Sequence, residues 1–125
     1  MRNPAALVLV ADRNRLVAEA LMDAFLEVAN VDVRIATSLG EALLTTQRMR
    51  PDLVLVDVWI GRSGVEDLVR QLKECAPDAR VFVMASHIDA GFEQRALRGG
   101  AAGCCVKLQV PGAVTAMLQA LEVGQ

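Results

Sequence analysis

The chain has 125 residues, close to the commonest size of a single domain, so one domain is expected. Thirteen lysines and arginines oppose fifteen aspartates and glutamates; the resulting net charge of −2 argues against a basic nucleic-acid-binding face. Hydrophobic residues make up 54% of the chain, yet no apolar run approaches the roughly 20 residues that span a bilayer. The first residues lack a signal-peptide pattern, and the three cysteines lack disulfide or CxxC spacing. We therefore expect a soluble, cytoplasmic protein with no membrane partner.

Five short apolar segments recur along the chain and indicate buried β-strands. They are Leu7–Val10, Val31–Ala36, Leu53–Val56, Val81–Met84 and Cys104–Val106. Three of them are unbroken rather than alternating, as expected for strands that are buried on both faces of a parallel sheet. Because a short apolar run can also be a buried helix, the segments between these runs decide the assignment.

The intervening segments have the spacing of amphipathic helices. The first carries an apolar stripe over Leu16–Val28, with acidic residues on another face. The second and third begin with Ser38–Glu41 and Ser63–Glu66, which both match the capping-box pattern. The fourth, Asp89–Arg98, has the weakest apolar stripe, and Pro111 suits the first turn of a fifth helix.

Strands that alternate with helices of this length need crossover connections, so the sheet is expected to be parallel and covered on both faces. No linker or repeat interrupts residues 1–125, which we expect to form one domain. We predict an α/β, three-layer, doubly wound (βα)5 sandwich of the flavodoxin-like type. The expected order of its five parallel strands is 2-1-3-4-5.

Polar residues follow the ends of four predicted strands, which is where sites form in doubly wound sheets. Asp12 follows the first strand, Asp57 the third, Ser86 the fourth and Lys107 the fifth. Taken alone, Asp12 could cap the first helix and Asp57 could start a turn. A lysine that ends a buried strand on the same edge needs an anion nearby, which favours a shared site.

The order and spacing of these segments resemble the receiver domain of bacterial two-component response regulators, from Leu7 to about Val123. The most specific parts are RPDLVLVD, which ends at Asp57, and GAAGCCVK, which ends at Lys107. They are most similar to receivers that precede LuxR/NarL-type DNA-binding domains. The resemblance implies phosphorelay signalling with a sensor histidine kinase as partner, and DNA contact only through a domain outside this chain. It also implies that any homodimer forms through the fourth helix, fifth strand and fifth helix.

The resemblance further implies roles for individual residues. Asp57 would be the phosphoacceptor, and Lys107 would pair with it or with the phosphoryl group. Asp12, Asp57 and the backbone carbonyl of Trp59 would hold Mg²⁺. Ser86 is the candidate switch hydroxyl. A carboxylate attacks phosphorus readily only when the approaching negative charges are neutralised, which is the work of the divalent cation and the lysine.

One departure from the family pattern concerns the metal. The second acid of the metal-binding pair is replaced by Arg13, which cannot ligate a cation and would repel one. We therefore expect Mg²⁺ to bind weakly or not at all. We favour an ion pair from Arg13 to Asp12 or Asp57; the alternative is that Arg13 points outward.

The positions associated with switching also differ. The hydroxyl that ends the fourth strand in the family falls on Ala85, which leaves Ser86 one place along the chain. The aromatic residue of the fifth strand falls on Cys104, and the proline after the lysine is Leu108. The chain thus resembles an atypical receiver, which accepts phosphate on Asp57 or acts as a phosphorylation-independent switch.

The alternatives are a small enzyme of flavodoxin-like fold and a cofactor-binding module. Neither has a supporting motif, because GxGxxG, P-loop and GxSxG patterns are all absent from the sequence. A single carboxylate beside a lysine suits a phosphate acceptor better than a hydrolase. We therefore expect a protein that is not an enzyme.

Overall fold

The computed structural model describes residues 5–123, in which five parallel strands alternate with five α-helices. The elements in chain order are β1 (Ala6–Ala11), α1 (Arg15–Val28), β2 (Val31–Ala36), α2 (Leu39–Met49), β3 (Leu53–Asp57), α3 (Val65–Cys75), β4 (Arg80–Ala85), α4 (Ala90–Gly99), β5 (Gly103–Val106) and α5 (Val110–Val123). The strand order is 2-1-3-4-5, which confirms the predicted fold. The predicted domain of residues 1–125 includes residues 1–4 and 124–125, which lie outside the described residues.

The sheet separates two hydrophobic clusters, and the central strand β3 supplies both. Val54 and Val56 face the cluster that includes residues of α3, whereas Leu53 and Leu55 face the cluster that includes residues of α1 and α5. Successive side chains of a strand point to opposite faces, so a strand covered on both faces has an unbroken apolar sequence. All five residues of β3 are buried, in agreement with its central position.

The edge strand β5 is the shortest strand, with four residues that are all half-buried. Its two adjacent cysteines face opposite sides of the sheet, because Cys104 packs against one hydrophobic cluster and Cys105 against the other. Burial raises the pKa of both thiols. Both cysteines therefore behave as small packing residues with little thiolate character.

One of the two predicted capping boxes is wrong. Ser38 accepts a hydrogen bond from the amide of Glu41 and begins α2 as predicted. In α3, however, the residue that precedes the helix is Gly64, which has a φ of 92° and makes no side-chain capping bond. The left-handed backbone at Gly64 puts Ser63 one residue too early to cap, and its hydroxyl donates to the Asp67 carboxylate instead.

The helices differ in how firmly they pack. Ala96 is the one fully buried residue of α4, in line with the weak apolar stripe of its sequence. Close packing of α4 on α3 comes instead from Gly99, whose missing side chain leaves room for the backbone carbonyl of Glu66. Within residues 5–123, no helix is both long and apolar enough to cross a membrane.

Candidate functional site at the carboxyl edge of the sheet

Two buried aspartates and one lysine meet at the carboxyl edge of the sheet. Asp12 follows β1 and is 2% exposed, and Asp57 ends β3 and is 4% exposed. Lys107 comes directly after β5, and its Nζ lies 2.6 Å from Oδ2 of Asp12 and 3.4 Å from Oδ1 of Asp57. Because the strands are parallel, their carboxyl ends share one edge, and residues 12, 57 and 107 are brought together there.

Each carboxylate is held by a backbone amide two residues further along the chain. Oδ1 of Asp12 accepts a hydrogen bond of 2.8 Å from the amide of Asn14. Oδ2 of Asp57 accepts one of 3.2 Å from the amide of Trp59, in a short 3-10 turn that follows β3. In both residues the other oxygen faces the ammonium of Lys107. The carboxylates are thus held in fixed orientations around one cation.

Asp12 does not cap α1. That role belongs to Asn14, whose side-chain oxygen accepts from the amides of Leu16 and Val17. Asn14 was not among the predicted helix caps, although an asparagine just before the first helical residue is a standard capping signal. Because Asn14 caps α1, the carboxylate of Asp12 remains available at the carboxyl edge of the sheet.

The electrostatics of the site are those of two buried carboxylates that share one ammonium group. Burial raises the pKa of Asp57, the Lys107 charge lowers it in part, and the nearby charge of Asp12 raises it again, so the net shift is upward. Burial lowers the pKa of Lys107, but the close contact with the Asp12 carboxylate and the charge of Asp57 outweigh burial and raise it. Lys107 is therefore a firmly protonated counter-ion.

The predicted ion pair of Arg13 is wrong. Arg13 is exposed, and among the described residues only Lys107 lies within 4.0 Å of either Asp12 or Asp57 as a cation. Asp12 points into the protein, and the residue after it points outward. The guanidinium lines a surface pocket beside Trp59 instead.

Ser86 is not brought to the carboxylates. It is exposed, lines a surface pocket with Trp59, and has no hydrogen bond to Asp57 or Lys107 within the described part of the chain. The preceding residue, Ala85, is 3% exposed and ends β4 with its methyl group directed inward. The buried position at the end of β4 is thus occupied by a methyl group, and the only hydroxyl nearby in sequence lies on the exposed residue that follows.

Comparison with known proteins identifies the family. The family model described as the response regulator receiver domain matches residues 8–119. The chain belongs to this family. A receiver domain of this kind functions in two-component signalling, and the comparisons give no support to the alternative of an enzyme.

Individual relatives agree with this assignment. The chain is 29% identical over 111 residues to the methanol utilization control regulatory protein MoxX of Paracoccus denitrificans, covering 87% of this chain and 50% of that protein. The chain thus spans about half the length of this curated relative. A LuxR-family two-component response regulator from Aurantimonas has the same fold, with a TM-score of 0.85, 22% identity and coverage of 98% of this chain and 88% of that chain.

A further structural relative bears on the chemistry of receiver domains. A response regulator from Burkholderia pseudomallei, 26% identical with a TM-score of 0.73, contains a phosphorylated aspartic acid, a calcium ion and citrate. The match covers 94% of this chain and 72% of that chain. Receiver domains in general bind Mg²⁺ at the phosphorylation site.

Proposed function

We propose that this receiver domain accepts a phosphoryl group on Asp57 from a sensor histidine kinase, at a site that binds Mg²⁺ weakly. The observation that carries the proposal is the Lys107 ammonium, which contacts both buried carboxylates at the carboxyl edge of the sheet. A carboxylate that accepts phosphate needs a nearby positive charge to offset the negative charge of the donor. Lys107 supplies that charge from a fixed position.

The proposed transfer uses the oriented carboxylate of Asp57 as nucleophile. A carboxylate oxygen forms a bond to phosphorus while the P–N bond of the donor phosphohistidine breaks, and the departing imidazole nitrogen takes up a proton. The amide of Trp59 fixes the orientation of the carboxylate through its hydrogen bond to Oδ2. Lys107 stabilises the charge that develops near Oδ1.

The oxygen donors at this edge fit a hard divalent cation, but there are few of them. Oδ2 of Asp12 is buried and has no hydrogen bond of good geometry, although it contacts Lys107 closely. Asp12, Asp57 and the backbone carbonyl of Trp59 would hold Mg²⁺, which would neutralise phosphoryl oxygens when bound. The described residues contain no group of three or more acidic, histidine or cysteine side chains that could hold a metal. With Arg13 in the place of an acid, weak binding and slow phosphorylation follow.

A partner surface surrounds the proposed acceptor. The three most exposed large apolar residues are Leu108 at 94%, Leu16 at 77% and Trp59 at 66%. Leu108 follows β5, Leu16 lies in the first turn of α1, and Trp59 follows β3. All three therefore belong to the edge of the sheet that carries Asp57. Exposed apolar side chains that cluster around a reactive group indicate a protein-binding surface, which supports docking of a histidine kinase here.

A homodimer, if one forms, is proposed to use α4, β5 and α5. A groove of about 640 Å³ lies along the exposed edge of the sheet, and its walls include Phe82, Cys105, Ala113 and Met117. The groove is bounded by β4, β5 and α5, and the neighbouring helix α4 exposes the large apolar side chain of Leu97. Contact with DNA, where it occurs, would come through a domain outside this chain.

A phosphorylation-independent switch is the second candidate, because Lys107 already neutralises part of the acidic pair without a phosphoryl group. The two candidates separate on incubation with acetyl phosphate and Mg²⁺, followed by intact mass measurement. The proposal expects one phosphoryl adduct, which Asp57→Asn abolishes. Asp78→Asn, at an exposed aspartate away from the site, is expected to retain the adduct. No adduct on the unmutated chain at saturating Mg²⁺ would overturn the phosphoacceptor role and favour the second candidate.

A further inference from the structure

Two surface pockets share the side of the chain at Trp59, the residue whose backbone amide holds the Asp57 carboxylate. One pocket, of about 510 Å³, lies between the loops that follow β3 and β4. The other, of about 590 Å³, lies between the loop after β3 and the start of α2. We call the two together the Trp59 cleft, because Trp59, Gly61 and Arg62 line both. Their volumes fall within the range of small-molecule sites, roughly 300–1,000 Å³.

The cleft is cationic although the chain has a net charge of −2. Arg62 lines both pockets, Arg95 lines the first and Arg13 lines the second. All three are exposed, and no described carboxylate lies within 4.0 Å of their guanidinium groups. The nearby Asp89 is occupied as the cap of α4, where it accepts from the amide of Phe92. Each pocket thus has two arginines without a described carboxylate partner, one of them Arg62, and this favours an anion there.

The cleft also offers an aromatic surface. The indole of Trp59 is 66% exposed on the wall that the two pockets share. Phe92, which is half-buried, and His87 line the first pocket beside it. An exposed indole next to guanidinium groups can bind a planar ring by stacking while the arginines bind an attached anionic group in bidentate geometry.

We propose that the Trp59 cleft binds a nucleoside phosphate, with the base against the Trp59 indole and the phosphate at Arg62 and a neighbouring arginine. The outward direction of Arg13 is then explained, because its guanidinium serves the cleft rather than the acidic pair. An occupant would contact the loop after β3, which leads to α3, and the loop after β4, which leads to α4. Binding at this cleft needs neither Mg²⁺ nor a phosphodonor.

Fluorescence tests the proposal directly, because Trp59 is the single tryptophan of the chain. Adenosine 5′-monophosphate is titrated into the unmutated protein in the absence of Mg²⁺, with excitation at the red edge of the indole band to avoid absorption by adenine. We expect a saturable change in emission with a Kd of about 0.1–1 mM. Adenosine and inorganic phosphate, each tested alone, should bind at least about tenfold more weakly, because each lacks half of the recognised chemistry.

Two arginine variants provide the decisive comparison. Arg62→Gln removes the guanidinium that both pockets share and should weaken binding at least about tenfold. Arg48→Gln is the matched control, since Arg48 is an exposed arginine in the last turn of α2, outside the cleft. Absence of a saturable change up to about 5 mM nucleotide would overturn the proposal. Binding that both variants retain equally would overturn it as well.

Discussion

The ammonium of Lys107 lies nearer to Asp12 than to Asp57: its Nζ is 2.6 Å from Oδ2 of Asp12 and 3.4 Å from Oδ1 of Asp57. The lysine is therefore held chiefly by the acid expected to bind metal, and the acceptor carboxylate keeps the longer contact. This arrangement offsets the repulsion between two buried acids while leaving Oδ1 of Asp57 only loosely engaged.

Removal of the charge at Asp57 should stabilise the fold. Burial is the main reason that the pKa of Asp57 lies above its usual 3.8, so the folded state favours the neutral carboxyl. We expect Asp57→Asn to raise the free energy of unfolding by about 1 kcal/mol at neutral pH, measured by urea denaturation. Asp78→Asn, at an exposed position, should change stability little.

The raised pKa of Asp57 also determines how the free energy of unfolding depends on pH. A raised pKa means that the folded state holds the proton of Asp57 at a pH where the unfolded state has lost it. The contribution of Asp57 is most favourable below its usual pKa of 3.8 and is lost as pH rises through the higher pKa of the folded state. The stability advantage of Asp57→Asn should therefore grow between about pH 4 and pH 7. An advantage that shrank over this window would contradict the account.

Loss of Lys107 should destabilise the protein. Lys107→Met keeps most of the side-chain length but leaves two buried carboxylates facing each other without a cation. We expect a loss of about 2 kcal/mol, a value reduced from that of a fully buried pair because the lysine side chain is 27% exposed. Addition of Asp57→Asn to the same chain should recover a measurable part of the loss. Equal stability of Lys107→Met and the unmutated protein in urea would show that the acids do not depend on this cation.

Gly99 should be intolerant of a side chain. A Cβ at this position would lie 2.5 Å from the backbone oxygen of Glu66 and 3.0 Å from Cβ of Val69, so α4 would have to move away from α3. We expect Gly99→Ala to cost about 1–3 kcal/mol in thermal or urea unfolding. Gly40→Ala is the control, because nothing lies within 4 Å of a Cβ there and α2 should gain about 0.5 kcal/mol.

Most of the fold could be predicted from the sequence because the central strands are buried on both faces. Three of the apolar runs are unbroken, and the predicted ends of all five strands lie at most one residue from the observed ends. The opposite directions of Cys104 and Cys105 follow from strand alternation in the same way. A strand that is buried on both faces accepts mainly apolar residues, so an apolar run of this length indicates its position in the chain.

Loop geometry was less predictable. The first turn of α3 depends on the left-handed backbone of Gly64, which the Ser63–Glu66 pattern does not reveal. The direction of Arg13 depends on how the chain turns after Asp12, which the sequence does not reveal. Formal charge balance suggested Arg13 as a partner of the acids, but the structure pairs Asp12 with Lys107. Arg62, in the loop after β3, and Arg95, on the exposed side of α4, were missed because only the fold brings them beside Trp59. Residues in loops carry no periodic signal that would place them.

The proposed weak binding of Mg²⁺ rests on Arg13, which stands where the family has a second acid. A Mg²⁺ titration tests it directly, with Trp59 fluorescence as the readout, on the unmutated protein and on the variants Arg13→Gln and Arg13→Asp. The account predicts that Arg13→Asp binds Mg²⁺ at least about tenfold more tightly than the unmutated protein, with Arg13→Gln between them. Tight binding by the unmutated protein that Arg13→Asp does not improve would contradict the account.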